Sequence, residues 1–485
     1  MRLAVEEIHS AHTPESLVEL LPVGSGAALL RSAPGESGGA RYSFVGARPF
    51  LTFRSFQARC ELISGGETRV QFGNPWQTLD SLMGRYELLD ELDFPFPLGG
   101  CFGYWGYDLK NFVEPRLRRN AVNDLELPDC HVGFYDSLVV FDHALGKTFV
   151  VVTGLCLDGS RDPAKAKNTL RFWKDLLHSP PRPADGPEPR GDAPKVASNV
   201  SRETFIAAVE RAQRYIQAGD IYQVNLSQRL ESPLPVSPWQ FFKNLTEVSP
   251  APFAAYLDCG NFSLCSSSPE LFLRLSGSHI LTRPIKGTRP RDSDPTRDAQ
   301  FTYELQTSPK EMAELVMITD LLRNDLGRVC AYGSVQVPEL VRLERFPQVQ
   351  HLVSTVEGTL RPDVTHFAAF ASCFPGGSIT GAPKIRAMEI IDELEPVSRG
   401  PYTGALGYLG FNRESQLSIL IRAAVCADQK AWFHVGAGIV ADSKPAAEYD
   451  ETLAKAGGFL RALRHSGPRA GMESRLQPVA RSQAE

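Results

Sequence analysis

Residues 431–456, AWFHVGAGIVADSKPAAEYDETLAKA, place a strand-like run directly before a helix. Alternating apolar residues in AWFHVGAGIV predict a β-strand. A helix is predicted after the SKP sequence, because four polar side chains then recur at i, i+3, i+4 and i+7 on one helix face. These side chains are Glu448, Glu451, Thr452 and Lys455. The stretch therefore predicts mixed α and β structure and presents two carboxylates from one helix.

Two further helices are predicted earlier in the chain. The first follows Ser201 and ends at Gly219, where glycine breaks an amphipathic pattern. The second has Ser308 as its N-cap and Pro309 as its first residue, with Glu311 as the partner of a capping box. Its sequence ELVMITDLL is apolar on nearly all sides, so we expect this helix to be buried.

The 485 residues predict two or three domains at most. The clearest boundary is a proline-rich predicted linker at 178–199, which has little to bury. Before it, residues 1–177 contain short strand-like runs, among them the glycine- and aromatic-rich stretch Pro97–Tyr107, which predicts close packing in a sheet. After it, residues 200–463 form a denser segment, and residues 464–485 form a predicted polar tail.

Composition excludes several classes of protein. The chain has 51 Lys and Arg against 56 Asp and Glu, a formal net charge of -5, which argues against nucleic-acid binding. No window approaches 18 apolar residues, and two glutamates near the start interrupt any signal peptide, so we expect neither a membrane span nor secretion. Nine cysteines without a CxxC pair predict no disulfide framework and a cytoplasmic location.

Carboxylates on two helices suggest one candidate metal site. Glu314 lies inside the apolar helix, where an unpaired carboxylate is costly to bury. Together with Glu448 and Glu451, and without a histidine or cysteine cluster, it would suit Mg²⁺ better than zinc. The alternative interpretation is a structural ion pair at Glu314 and a solvated helix face at the other two.

Two glycine-rich stretches are candidate anion sites. The loop Phe374–Lys384 resembles a phosphate-binding loop in its glycine spacing, but Ala382 and Pro383 stand where Lys and Ser or Thr are required, which excludes nucleotide phosphate. A carboxylate cradle and a plain tight turn both remain open. The second stretch is Gly436-Ala-Gly438, whose backbone amides are a further candidate for facing an anion.

Lys286 is a candidate nucleophile at a strand end. Arg283, Arg289 and Arg291 lie near it in the sequence, and neighbouring cations and partial burial would favour its neutral amine. The alternative is an ordinary surface lysine in a basic turn.

Several motifs together resemble the chorismate-utilising enzymes, a family that includes anthranilate, aminodeoxychorismate, isochorismate and salicylate synthases. The resemblance covers nearly all of residues 200–460 and extends to RYSFVGARP and LGGCFGYWGYDL in the first half. The motifs are IYQVNLSQR, SSPELFLRL, RPIKGTRPR, AELVMITDLLRNDLGRV, HLVSTVEGTL, FPGGSITGAPKIRAMEIIDELEP, PYTGALGYLG and VGAGIVADSKPAAEYDETLAKA. The resemblance implies an α+β fold of large antiparallel sheets packed as a sandwich with helices outside.

Two positions indicate the branch of the family. Water-using members carry a lysine where this chain has Gln223, which argues against isochorismate and salicylate synthases. The motif Pro284-Ile-Lys-Gly-Thr288 is the form typical of aminodeoxychorismate synthase component I, whereas anthranilate synthases usually have alanine in place of Lys286. The resemblance thus implies amination of chorismate at C4, in 4-aminobenzoate and folate synthesis. Anthranilate synthase component I, which aminates C2 for tryptophan synthesis, is the alternative, and a catalytically silent subunit with the same fold is another.

The resemblance also assigns roles to residues. Lys286 is implied as the covalent nucleophile and Glu270 as the acid that protonates the departing hydroxyl. Mg²⁺ is implied on Glu314 and Glu451, with Glu448 in or near its coordination shell. The substrate-binding residues are Gly287 and Thr288 along the ring, His351 near it in an unresolved role, and Tyr402, Arg422, Gly436, Ala437 and Gly438 at the enolpyruvyl carboxylate.

The resemblance implies a partner, because the chain has no room for a glutaminase region. Ammonia is expected from a separate glutamine amidotransferase subunit, and the product is expected to leave for a separate lyase. Some relatives bind tryptophan, and the corresponding pocket would involve Ser32, Arg41, Tyr42, Ser43, Phe44 and Pro250. Ala251 replaces a serine that relatives often carry, which weakens that expectation.

Overall fold

The computed structural model describes residues 3–32, 41–88, 94–182, 195–346 and 348–464. Residues 183–194 of the predicted linker and 465–485 of the predicted tail lie outside this part of the chain. Two large sheets dominate the described residues, and the strands in both are paired antiparallel. The predicted α+β class with large antiparallel sheets is therefore confirmed.

Sheet A has twelve strands and draws on both halves of the chain. Its order is β1 (Ala4–Glu7), β10 (Lys147–Val152), β9 (Ser137–Asp142), β3 (Tyr42–Gly46), β2 (Ala28–Arg31), β13 (Phe253–Asp258), β14 (Ser263–Ser268), β23 (Ala423–Ala427), β24 (Lys430–Ile439), β12 (Gln223–Pro233) and β11 (Ala197–Ser198), with β20 (Gly381–Ala382) also paired to β12.

Sheet B also has twelve strands from both halves. Its order is β17 (Ile285–Pro290), β19 (Val349–Thr359), β16 (His279–Arg283), β15 (Leu271–Ser276), β22 (Glu414–Ile419), β21 (Ala405–Gly410), β7 (Gly100–Trp105), β8 (Cys130–Tyr135), β4 (Leu51–Phe56), β5 (Arg59–Ser64) and β6 (Glu67–Phe72), with β18 (Gln336–Arg345) also paired to β19.

Helices cover the sheets and connect their strands. Those in the described residues are α1 (Pro14–Leu20), α2 (Pro75–Tyr86), α3 (Lys110–Val113), α4 (Pro163–His178), α5 (Arg202–Gln217), α6 (Pro238–Val248), α7 (Pro295–Gln306), α8 (Pro309–Gly327), α9 (His366–Cys373), α10 (Lys384–Leu394) and α11 (Pro445–Arg464). The predicted helix after Ser201 is confirmed as α5, and the helix after the SKP sequence is confirmed as α11.

The main core lies between the two sheets, because strand alternation sends every second side chain inward. In β9, Leu138 and Val140 join the core shared with sheet B, whereas Val139 and Phe141 join a second core under α1, α4, α6 and α11. The two segments predicted from the sequence therefore share both sheets and the core between them.

Two details of α8 differ from the sequence prediction. Ser308 caps the helix by accepting from the backbone N–H of Glu311. The Glu311 carboxylate lies near Arg289 instead, and within the described residues it makes no hydrogen bond back to the cap. The helix is also buried on one face only, since Leu315 and Ile318 are inaccessible while Val316 is 44% exposed. The prediction of a fully buried helix was wrong because α8 covers the edge of sheet B and keeps an outer face in solvent.

The glycine-rich stretch at Pro97–Tyr107 forms β7, whose residues are all buried in the middle of sheet B. A Cβ atom on Gly103 would lie 2.2 Å from the His131 carbonyl oxygen, and one on Gly407, its partner in β21, would lie 2.0 Å from the Gln416 carbonyl oxygen. Close backbone approach therefore requires glycine on both strands, which confirms the predicted role of this stretch.

All nine cysteines lie in the described part of the chain, and each is a free thiol. Among the described residues, no helix combines the length and apolar character needed to cross a bilayer.

Candidate active site

Lys286 is placed by a β-bulge in β17. Lys286 pairs with Leu352 and Thr288 pairs with the next residue of β19, His351, so Gly287 is an extra residue on the bulged strand. Gly287 has φ +65°, and a Cβ atom there would lie 2.7 Å from Leu305 of α7. A bulge re-aims the side chains that flank it, which is a common device beside active sites.

The amine of Lys286 faces carboxylates. Its Nζ lies 3.9 Å from Glu314 Oε2, with both side chains about one-sixth exposed. The expectation that neighbouring arginines keep this amine neutral finds no support in their contacts. Each of the three is engaged by its own carboxylate: Arg283 by Glu344, Arg289 by Glu311 and Arg291 by Asp298.

Glu270 is a buried acid on the loop before β15. It is 6% exposed, and burial raises its pKa above the usual range of a glutamate, against the opposing effects of a Ser378 hydrogen bond and the charge of Lys286. A carboxyl group with a raised pKa holds its proton to higher pH, which suits general acid catalysis.

His351 and Arg422 form the next part of the site. His351 Nδ1 lies 2.8 Å from the Thr288 hydroxyl, and burial together with the charge of Arg422 lowers the pKa of His351 to about 4. Arg422 has φ +53°, and burial lowers its pKa. No carboxylate among the described residues forms an ion pair with this guanidinium, which leaves its fork available to a substrate carboxylate.

Tyr402 lies against Gly436 of β24, and Gln223 lies against Gly438. A Cβ atom on Gly436 would lie 2.7 Å from the Tyr402 hydroxyl, and one on Gly438 would lie 2.5 Å from Gln223 Nε2. Burial raises the pKa of Tyr402 to about 12, so its hydroxyl remains a donor. Ala437, between the two glycines, is fully buried in the core under α5 and α10.

The candidate metal ligands have unequal surroundings. Burial raises the pKa of Glu314, and the charge of Glu451 from α11 contributes in the same direction. Glu451 is half-exposed and lies 2.8 Å from Lys455 Nζ, whereas Glu448 is 8% exposed and accepts a 2.7 Å hydrogen bond from Ser443. The described residues contain no group of three or more metal-ligating side chains.

A pair of carboxylates nevertheless fits Mg²⁺. This ion commonly binds one or two protein carboxylates and completes its shell with substrate and water oxygens. The charge of Glu451 contributes to the raised pKa of Glu314, which is consistent with two carboxylates near one site. Glu448 is committed to Ser443 and fits the outer shell better than direct ligation.

Two residues connect these groups and were missed from the sequence. Lys455 Nζ lies 2.8 Å from both Glu451 and the Gly436 carbonyl oxygen, which joins the Tyr402 end of the site to the carboxylate end. Ser378 supports Glu270 from the PGGSITGAP loop. The helix spacing that places Lys455 on one face with Glu448 and Glu451 could have identified Lys455 from the sequence. Ser378 could not be identified in this way, because only the folded chain brings it to Glu270.

The loop Phe374–Lys384 is shaped by close packing. Cβ atoms on Gly376, Gly377 and Gly381 would lie 2.6 Å from Ile419, 2.4 Å from Leu321 and 2.2 Å from the Gln223 carbonyl oxygen. Steric packing thus explains these glycines, and the carboxylate cradle stays a prediction.

The predicted tryptophan pocket is only partly assembled. Ser32, Tyr42 and Phe44 line a small cleft of about 30 Å³ with Pro252 and Phe253. The other predicted members do not line this cleft. Arg41 pairs with Asp142, Ser43 contacts His143 at 2.7 Å, and Pro250 is exposed.

Comparisons with known proteins agree with this arrangement. A family model described as chorismate binding enzyme matches residues 36–461. Anthranilate synthase component 1 of Thermus thermophilus is 43% identical over 430 residues, which cover 87% of this chain and 89% of that protein. Aminodeoxychorismate synthase component 1 of Bacillus subtilis is 37% identical over 425 residues, which cover 88% and 90%.

A solved structure matches as well. The crystal structure of anthranilate synthase component I from Streptococcus pneumoniae has a TM-score of 0.77 and 29% sequence identity, and the match covers 94% of this chain and 99% of that one. Relatives from both amine-forming branches occur, so these comparisons leave the specific reaction open. On the extent of the family match and the identity to these relatives, the chain belongs to the family of chorismate binding enzymes.

Proposed function

We propose that the enzyme aminates chorismate at C4 and releases 4-amino-4-deoxychorismate, the precursor of 4-aminobenzoate in folate synthesis. The observation that supports this most is the position of Lys286. Its amine stands on a glycine bulge, 3.9 Å from Glu314 and close enough to Glu270 to affect the ionisation of that acid.

The remaining side chains suit a substrate with two carboxylates. The free fork of Arg422 and the hydroxyl of Tyr402 bind the enolpyruvyl carboxylate beside β24. The ring lies along Gly287 and Thr288, with His351 as a neutral hydrogen-bond partner of Thr288. Chorismate bound this way presents its diene to Lys286.

Stereochemistry favours two steps, because direct displacement of the C4 hydroxyl would invert that carbon. In its unprotonated form, the amine of Lys286 forms a bond to C2 while the C4–O bond breaks, and Glu270 gives its proton to the departing hydroxyl, which leaves as water. Ammonia then forms a bond to C4 while the bond between Lys286 and C2 breaks, which restores the diene and the free lysine.

We assign Glu314 and Glu451 to a Mg²⁺ ion, with Glu448 in its outer shell. When bound, the ion would polarise the ring carboxylate and make the diene more electrophilic. The protein's own contribution is to present Glu314 from α8 beside the amine of Lys286 and Glu451 from α11.

We also propose that ammonia reaches the site from a separate glutamine amidotransferase subunit. The relatives named above are called component 1 or component I, which is consistent with a two-subunit enzyme. A cytoplasmic location stays a prediction from composition.

The second candidate is anthranilate synthase component I. The relative from Thermus thermophilus, named for that activity, is more similar in sequence than the Bacillus subtilis relative named for the proposed one. In that reaction ammonia adds directly at C2, and no lysine nucleophile is needed.

Product identification separates the two candidates. The purified enzyme is incubated with chorismate, an ammonium salt and Mg²⁺, and products are resolved by chromatography and fluorescence. We expect aminodeoxychorismate from the wild type. Anthranilate as the main product would contradict the proposal.

A substitution of Lys286 extends this test. Lys286→Ala is expected to abolish aminodeoxychorismate formation and to divert some turnover to anthranilate. The matched control is Lys310→Ala, which removes an exposed lysine that also acts on the charge of Glu314 and should leave the product unchanged. Unaltered aminodeoxychorismate formation by Lys286→Ala would exclude the nucleophile role.

A further inference from the structure

Arg399 is a buried cation that the proposed reaction does not use. Its side chain is 1% exposed and forms a two-bond fork with Glu395, from Nε at 2.8 Å and from Nη2 at 2.7 Å. The guanidinium also lies between two tyrosine rings, 4.8 Å from the centroid of Tyr107 and 5.6 Å from that of Tyr402.

The other hydrogen bonds of Arg399 reach three segments that carry site residues. Nη2 donates to the Asn225 carbonyl oxygen in β12 at 2.7 Å, and Nη1 donates at 3.2 Å to the Ile379 carbonyl oxygen and to the Thr403 hydroxyl. Ile379 follows Ser378, the partner of Glu270, and Thr403 follows Tyr402. One guanidinium thus joins the loop of the general acid, the strand opposite β24 and the turn of Tyr402.

Glu395 extends this junction to the glycines. It accepts hydrogen bonds from the backbone N–H and the hydroxyl of Ser227, at 2.8 and 2.9 Å. Ser227 is the register partner of Gly436, against which the Tyr402 hydroxyl lies. Both members of the ion pair therefore hold the same corner of the substrate pocket.

The turn itself is strained. Thr403 has φ +60°, a conformation that β-branched residues rarely adopt. Its hydroxyl donates to the Tyr402 carbonyl oxygen at 2.6 Å while it accepts from Arg399. Such strain persists where surrounding contacts over-determine the backbone, and it concentrates at functional sites.

The first half of the chain supplies the floor of this junction. The guanidinium of Arg399 lies over the Tyr107 ring, and the buried Lys110 Nζ lies 4.7 Å from the centroid of the same ring. Lys110 Nζ also pairs with the Asp392 carboxylate at 3.1 Å. The Asp108 carboxylate accepts from the backbone N–H of Gly400, next to Arg399. Buried charges of this kind add little net stability compared with apolar replacements, which favours a role in geometry.

We propose that Arg399 is a positioning residue of the substrate pocket, which fixes the Tyr402 hydroxyl and the Ser378 loop for chorismate. The inference rests on the proposed function in one respect, the assignment of Tyr402 to the enolpyruvyl carboxylate. In the proposed reaction Tyr402 binds the enolpyruvyl carboxylate and makes no contact with ammonia, so we expect the effect on KM to be confined to chorismate.

A double-mutant cycle tests the coupling. Arg399→Lys keeps the charge and loses the planar fork, and Tyr402→Phe loses the hydroxyl. We expect each change to raise the KM for chorismate about tenfold or more and to leave the KM for ammonium unchanged. The KM for chorismate of the double variant should be close to the higher of the two single-variant values, because both changes disable the same contact.

The control is Arg54→Lys, which alters another arginine on a largely buried glutamate, Glu61, in the outer strands of sheet B. It should leave both KM values at the wild-type level. A wild-type KM for chorismate in folded Arg399→Lys overturns the proposal. The proposal is also overturned if the fold-changes in the KM for chorismate of the two single variants multiply in the double variant. A KM for ammonium that rises together with the KM for chorismate overturns it as well.

A second variant covers the case in which Arg399→Lys does not fold. Thr403→Val removes only the hydroxyl that joins Arg399 to the Tyr402 turn, and we expect the KM for chorismate to rise several-fold. An unchanged KM overturns the proposal. Both KM values can be measured whichever amine is formed, so failure of the proposed reaction and failure of this inference are distinguishable.

Discussion

At the scale of single residues, the site depends on burial more than on residue type. Burial raises the pKa of Glu270 and lowers that of His351 to about 4, which favours an acid at the first residue and an uncharged hydrogen-bond partner at the second. The sequence identified both residues through the family motifs. It could not give their ionisation, which depends on partners far along the chain such as Ser378 and Arg422.

A residue-scale prediction concerns His366, a buried histidine outside the active site. Nδ1 lies 2.9 Å from the Ser415 hydroxyl and Nε2 lies 2.7 Å from the Gly277 carbonyl oxygen, and burial lowers its pKa to about 4. In the unfolded state the ring takes up a proton near pH 6.5. Below that pH the unfolded state therefore binds more protons than the folded state. The contribution of His366 to the free energy of unfolding should therefore be fully present above pH 6.5. It should fall by on the order of 3 kcal/mol as the pH approaches 4.

Denaturation midpoints at pH 7.5 and pH 4.5 measure this loss. His366→Gln keeps a donor and an acceptor without a titrating ring, so its stability should fall less between the two pH values. His279→Gln, at an exposed histidine of the same sheet, serves as the control and should follow the wild type. Equal losses in His366→Gln and the wild type would exclude this contribution.

At the scale of elements, the bulge in β17 is the decisive feature. Gly287 adopts a positive φ and lies against the side chains of Leu305 and Glu311, so a Cβ atom there would require a strained backbone and a shift of Leu305 or of the strand. Lys286 and Thr288 flank this glycine. Their directions therefore depend on a residue that performs no chemistry.

Gly287→Ala is expected to lower kcat/KM by about 100-fold, because displacement of the nucleophile by about 1 Å has an effect of this size. The matched control is Gly277→Ala, in the turn between β15 and β16, where φ is +55° and nothing lies within 4 Å of an added Cβ. Both variants should lose about 1–2 kcal/mol of stability from the left-handed backbone. Only Gly287→Ala should lose activity, and equal activity in the two variants would contradict the role of the bulge.

Helix boundaries were predictable and helix burial was not. Ser201 and Ser308 cap α5 and α8 as their local sequences predict. The exposure of Val316 was not predictable, since a short apolar window does not reveal which face of α8 meets sheet B. Caps depend on three or four residues in sequence, whereas burial depends on the whole fold.

At the scale of the whole molecule, pairing between distant strands builds the protein. β2 pairs with β13, and β7 pairs with β21, about 220 and 300 residues apart in the chain. Periodicity and composition do not indicate which distant strands pair, so the residues alone predicted only mixed α and β structure. The sandwich was predicted only from the resemblance to a family.

This pairing also explains why the site needs the first half of the chain. Most residues with proposed roles lie in 200–463, yet Tyr107, Asp108 and Lys110 form the floor beneath Arg399. The proline-rich boundary in the sequence does not separate two cores. The corner of the pocket around Arg399 therefore depends on both halves of the chain.

The most direct test of the central claim is mass spectrometry of the enzyme quenched with chorismate and Mg²⁺ in the absence of ammonia. Without the second nucleophile, Lys286 should remain joined to C2, so the peptide that contains Lys286 should gain the mass of chorismate less one water. Lys286→Arg should show no such adduct. Turnover of the wild type with ammonia to aminodeoxychorismate, but with no adduct on Lys286 at any quench time, would contradict covalent catalysis by this residue.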